Sequence, residues 1–85
     1  MKLIWSDNAW DDYLYWQKND KKMVKRINNL IKDIKRTPYA GLGKPERLIH
    51  NWSGYWSRKI SQGDRLIYKY TDEAILIAQA RFHYR

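Results

Sequence analysis

The chain has no cysteine, two prolines, four glycines and a single phenylalanine among its 85 residues. Without cysteine, neither a disulfide nor a thiolate metal site can support the fold. No apolar run approaches the length of a membrane span, and Met1–Trp5 is far too short for the core of a signal peptide. A soluble, cytoplasmic protein is expected. There is no internal repeat, linker or low-complexity stretch, so residues 1–85 read as one small domain with one core. Acidic residues are scarce as well, nine against seventeen Lys and Arg, and the net charge is +8.

What is plentiful is aromatic: five Trp and seven Tyr must supply much of the core. The charge is unevenly spread. Residues 1–20 carry Lys2 and Lys18 against Asp7, Asp11, Asp12 and Asp20, whereas the remainder carries fifteen basic and five acidic residues. A basic body rich in Tyr, Trp and Arg points to a polyanionic partner, nucleic acid first. Lysines that merely solvate helices account for part of this charge, but less well for the arginines among strands.

Periodicity gives the elements. Residues 1–5 favour a strand, and Ser6 with Asp7 behind it is a good helix start. A first helix is predicted to about residue 18, and Asn19–Asp20 offers a break and a fresh cap. The second helix carries an apolar stripe of Met23, Ile27, Leu30, Ile31 and Ile34, with lysines and arginines on its other faces. Thr37–Pro38 stops it. Residues 39–54, with two glycines and a proline near their start, read as irregular. Strands are predicted over 55–60, 65–70 and 74–85, joined by the turns 61–64 and 71–73 as an antiparallel meander. The fold class is therefore α+β, an N-terminal strand and a helical hairpin packed on an antiparallel sheet. Along the last strand, Gln79, Arg81, His83 and Arg85 would share one face, opposite Ala80, Phe82 and Tyr84.

Several chemistries can be set aside. Gly41–Leu42–Gly43–Lys44 lacks the spacing of a phosphate loop and is followed by Pro45. His50 and His83 lack carboxylate companions at metal-ligand spacing, so neither a metal nor another cofactor is expected. What remains suits proton transfer on RNA, which carries its own nucleophile in the 2′-hydroxyl. Glu46 fits a base, His83 an acid, and Arg65 a planar fork for phosphate oxygens. By residue type alone each also fits a plainer role: Glu46 a salt-bridge partner, His83 and Arg65 ordinary surface groups.

A resemblance weighs on that choice. Trp10–Tyr13, Lys44–Pro45–Glu46, His50–Asn51, Ser53–Gly54, Trp56–Ser57–Arg58, Asp64–Arg65–Leu66 and Arg81–Tyr84 occur in the order and spacing of the YoeB toxins of bacterial toxin–antitoxin pairs, within the RelE-like group. The likeness spans nearly the full length. It implies a RelE-like fold and metal-independent cleavage of messenger RNA in the ribosomal A site. It also implies Glu46 as general base, His83 as general acid, Arg65 as stabiliser of the pentacoordinate phosphate and Tyr84 as the residue ordering the substrate. Lys44, Arg47, Arg58, Lys59 and Arg81 would contact RNA. The implied partners are the ribosome, a YefM/Phd-type antitoxin, a second copy of the chain, and operator DNA only through the antitoxin. Two positions depart from the pattern: Ile49 stands where a basic residue is frequent, with Arg47 two places earlier, and Arg85 follows Tyr84. A module that blocks translation by occupying RNA, without cutting it, is the alternative from another class. A DNA-binding module is a weaker third.

Overall fold

Ser6 starts the first helix as its position predicts, its hydroxyl accepting from the Ala9 amide at 3.1 Å. Asp20 serves two helices: its amide closes the first on the Trp16 carbonyl, and its carboxylate caps the second at Lys22. The computed structural model describes residues 1–84 and runs β1 (Lys2–Trp5), α1 (Asp7–Asn19), α2 (Lys21–Arg36), β2 (Glu46–Arg47), a 3-10 turn (His50–Trp52), β3 (Trp56–Lys59), β4 (Arg65–Tyr70) and β5 (Ala74–Gln79).

The strands form one five-stranded sheet in the order β1-β5-β4-β3-β2. The meander β3-β4-β5 is antiparallel, as the short turns require. β1 joins β5 in parallel, Lys2 beside Ala74 and Trp5 beside Ile77, so the sheet is mixed. Two further elements appear inside the segment read as irregular: the two-residue β2, paired antiparallel to β3, and the 3-10 turn.

Both helices cover one face of the sheet. From α2, Ile27, Leu30, Ile31 and Ile34 are buried against Leu66, Tyr68, Ile75 and Ile77, with Ala9 of α1 in the same cluster. Each large aliphatic side chain removed from water there contributes about 1.5–3 kcal/mol. Trp5, Tyr13, Trp16 and Trp56 pack around the rim. No helix among the described residues is long and apolar enough to cross a membrane.

The last strand is shorter than its pattern predicts. It ends at Gln79, and residues 80–83 bend back over the sheet. A bulge between Ile67 and Tyr68 of β4, with Gln79 and Ile77 as their partners, precedes the bend. Arg85, assigned to the strand by alternation, lies outside the described residues. Ala80 and Arg81 both face the helices, so the alternation already breaks there, and Phe82 then takes φ +66°, outside the extended region.

Arg58 also departs from expectation. Read as an RNA contact, it is fully buried on the helix side of the sheet. Its guanidinium donates to Asp33 Oδ2 at 2.6 Å, to the Tyr68 hydroxyl, and to the carbonyls of Thr37, Ala40 and Leu42. A side chain so enclosed cannot reach a phosphate, and its work is to hold the segment after α2. The Leu42 amide and then Arg58 hold the Asp33 carboxyl down at about 2, against the opposing effect of burial. Burial pushes the Tyr68 phenol up, partly offset by Arg58. Gly41 and Gly43 complete this clasp, both at positive φ. A β-carbon on Gly43 would press Leu30, Arg58 and the Lys59 amide at 3.0–3.1 Å.

Candidate functional site

Strand alternation sends Arg58 toward α2, so its neighbours Ser57 and Lys59 face the other way. The register then places Glu46 opposite Ser57, and Arg65 opposite Lys59, on this helix-free face. The clasp brings the preceding loop in as well. With residues 37–42 tied to Arg58, the Gly43 carbonyl accepts from the Lys59 amide at 2.7 Å, which sets Lys44 beside Lys59. Lys44 itself has φ +52°.

The C-terminal bend supplies the remaining wall. Gln79, buried on the same face, donates from Nε2 to the His83 carbonyl at 2.7 Å. His83 and Tyr84 follow, their rings edge to face with centroids 4.2 Å apart. The Tyr84 and Ser57 hydroxyls lie 3.4 Å apart. Lys44, Glu46, Ser57, Lys59, Arg65, His83 and Tyr84 together line a cleft of about 350 Å³.

Within it, Arg65 is anchored through Nη1, which donates to the carbonyls of Ser61, Gln62 and Asp64 at 3.0–3.2 Å. Lys44, Glu46, Lys59, His83 and Tyr84 are exposed. An exposed carboxylate, an exposed imidazole and three cations thus surround one concavity, a set of groups whose chemistry would suit an anionic, phosphate-bearing ligand.

The residues singled out from sequence divide by place. Glu46, Arg65, His83, Tyr84, Lys44 and Lys59 share the cleft. Arg47 lies one residue out of phase, opposite Trp56, and lines an adjoining cleft with Glu46, Leu48, Ile49, Trp52 and Tyr84. Arg81 is absent from both linings; its guanidinium stacks on Tyr15 of α1, 3.4 Å from the ring centre, with Phe82 on another side. Ser57, Asp64 and Gln79 went unassigned. A polar residue closing an apolar strand was the signal for Gln79, and adjacency to Arg65 at the turn was the signal for Asp64.

Comparison with known proteins bears on the family and the fold. A profile of the YoeB-like toxin of bacterial type II toxin-antitoxin system matches residues 5–84. The YoeB toxin of Escherichia coli K12 is 62% identical over 84 residues, covering 99% of this chain and all of its own. A YoeB/ParE toxin from Agrobacterium tumefaciens superposes with a TM-score of 0.95 at 49% identity, over 99% of this chain and 100% of its own. The Staphylococcus aureus YoeB, solved as a dimer and in complex with YefM, gives TM-scores of 0.93 and 0.91 at 47% and 46% identity, over 99% of this chain and 98% of its own in both. The chain belongs to the YoeB family, the toxins of bacterial type II toxin–antitoxin systems.

Proposed function

We propose that this toxin is a messenger RNA endoribonuclease that cuts in the ribosomal A site. The observation that carries the reading is the meeting of Glu46, Arg65 and His83 in one cleft, from a loop strand, the sheet and the C-terminal bend. Glu46 takes the proton of the 2′-hydroxyl as that oxygen attacks phosphorus. The bond to the 5′-oxygen breaks as His83 gives that oxygen a proton, leaving a cyclic phosphate and a free 5′-hydroxyl. Arg65 stabilises the charge on the pentacoordinate phosphorus, Tyr84 orders the substrate, and Lys44 and Lys59 hold adjacent backbone.

Free RNA seldom holds its 2′-oxygen in line with the scissile bond, and so small a domain can hold little of the strand. Positioning is a large share of such catalysis, and a ribosome that fixes the codon supplies it. By analogy with the Staphylococcus aureus YoeB, seen as a dimer and with YefM, this chain pairs with a second copy and with a YefM-type antitoxin. The site of action is the cytoplasm, where ribosomes are.

The test is a cleavage assay on a defined message with and without ribosomes. Cuts that need ribosomes and fall at the A-site codon are expected, and Glu46→Ala and His83→Ala should each lose them by about 10²–10⁴-fold while still binding ribosomes. Translation blocked without any cut, persisting in both variants, would hand the function to simple occupancy.

A further inference from the structure

Chain ends usually fray, yet here the backbone of the C-terminal bend is gripped at alternate residues. Ala80 is held from α1: its amide donates to Asp12 Oδ2 at 3.0 Å, and its carbonyl accepts from the Trp16 indole at 2.8 Å. Phe82 is held from the start of β4: its amide donates to Asp64 Oδ1 at 2.7 Å, and its carbonyl accepts from the Arg65 amide at 2.8 Å. The second Asp64 oxygen accepts from the Ser61 hydroxyl at 2.7 Å, so the carboxylate is itself oriented.

This grip has a geometric result. In a continuing strand Arg81 and His83 would share a face. The left-handed φ of Phe82, +66°, is costly for a bulky residue and persists only where surroundings impose it. Ala80 and Arg81 both lie toward α1, the latter against Tyr15, and across Phe82 the chain brings His83 to the cleft side with Tyr84. The same 61–64 turn that carries Asp64 offers the carbonyls that anchor Arg65.

We propose that Asp64, supported by Gln79, is a positioning residue that holds the left-handed turn at Phe82 and thereby delivers His83 and Tyr84 to the cleft in register with Arg65. The consequence for catalysis rests on the endoribonuclease reading above. The hold on the turn itself does not.

The experiment compares Asp64→Asn, Asp64→Ala and Gln79→Met in the full chain. Two readouts are taken: kcat and KM on ribosome-bound message, and amide hydrogen exchange at Phe82 with the His83 ring signals by NMR. Asp64→Asn keeps an acceptor oxygen and should stay within about tenfold of the parent in kcat. Asp64→Ala should lose about 10²-fold in kcat at unchanged KM, the scale of a misplacement near 1 Å. Its Phe82 amide should exchange faster while β4 and β5 stay protected. Gln79→Met should show the same kcat-only loss to a smaller degree, and it decides the matter if Asp64→Ala does not fold. Equal losses in the Asn and Ala variants, unchanged Phe82 exchange, or a kcat of Gln79→Met equal to the parent would overturn the proposal. A parent protein that cuts nothing on ribosomes would instead overturn the function, leaving the NMR readout to judge the turn.

Discussion

Arg58 and Arg65 stand on opposite faces of one sheet, in neighbouring strands, and both donate to backbone carbonyls. Arg58 is enclosed, with a carboxylate, a phenol and three carbonyls around its guanidinium. Arg65 is half-exposed, fixed through Nη1, and lines the cleft. The first arrangement makes a charge part of the fold; the second leaves one available to a ligand. Full satisfaction of its donors is what marks Arg58 as structural, whereas Arg65 has donors to spare among the described residues.

Substitutions sharpen that contrast. Arg58→Ala removes the buried guanidinium from Asp33 and from the Thr37, Ala40 and Leu42 carbonyls, and should cost about 3–5 kcal/mol in urea unfolding. Asp33 keeps Arg36 and the Leu42 amide, and the Ala40 carbonyl keeps the Thr37 hydroxyl. Arg58→Lys should recover little, since an ammonium cannot reach so many acceptors in one plane. A urea midpoint for either variant close to the parent's would show that the clasp is dispensable. Arg65→Ala should do the reverse, losing about 10²–10³-fold in ribosome-bound cleavage with less than about 1.5 kcal/mol of stability.

Asp33 separates the faces by pH. Its carboxyl is held at about 2 rather than 3.8, so the unfolded chain takes up a proton first as pH falls. The stabilisation is fully present above pH 3.8 and disappears as pH drops through about 2. Relative to the parent, Asp33→Asn should therefore be destabilised by a constant amount above pH 4, and the gap should narrow toward pH 2. A gap independent of pH in acid unfolding curves would detach Asp33 from that role. The smallest effect is expected at Lys59, whose side chain is exposed. Lys59→Gln should weaken RNA association evenly across sequences and lower the log–log salt slope by about one, measured by binding at several ionic strengths.

These faces were not equally legible in the sequence. α2 announced itself through Ile27, Leu30, Ile31 and Ile34, and Ser6 and Asp20 marked the helix starts, because those signals are local. Arg58 misled because its partner Asp33 lies 25 residues away. One hint was present: Asp33 is the single acid among the residues of α2. The alternation of Gln79, Arg81 and His83 is what a continuing strand would show, so nothing local marked the bend. No glycine flags the left-handed Phe82, whose amide and carbonyl are held by Asp64 of the 61–64 turn and by Arg65 at the start of β4. The cleft's members other than Ser57 were nameable from the likeness to known toxins, but their convergence depended on the β2–β3 register and on the clasp, both tertiary.

The grip of α1 on Ala80 also bears on the order of folding. The helical hairpin and the β3-β4-β5 meander each close over short stretches of chain. The bonds from Ser6 to Ala78, Asp12 to Ala80 and Trp16 to Ala80 span 72, 68 and 64 residues. Closures that long are slow and come after local ones. By that reasoning the C-terminal bend should be built late, together with the pairing of β1 to β5, so a nearly folded chain should have its meander before its cleft. In pulse-labelled exchange during refolding, the Ala80 and Phe82 amides should gain protection after those of β4; simultaneous protection would place the closure in the folding nucleus instead.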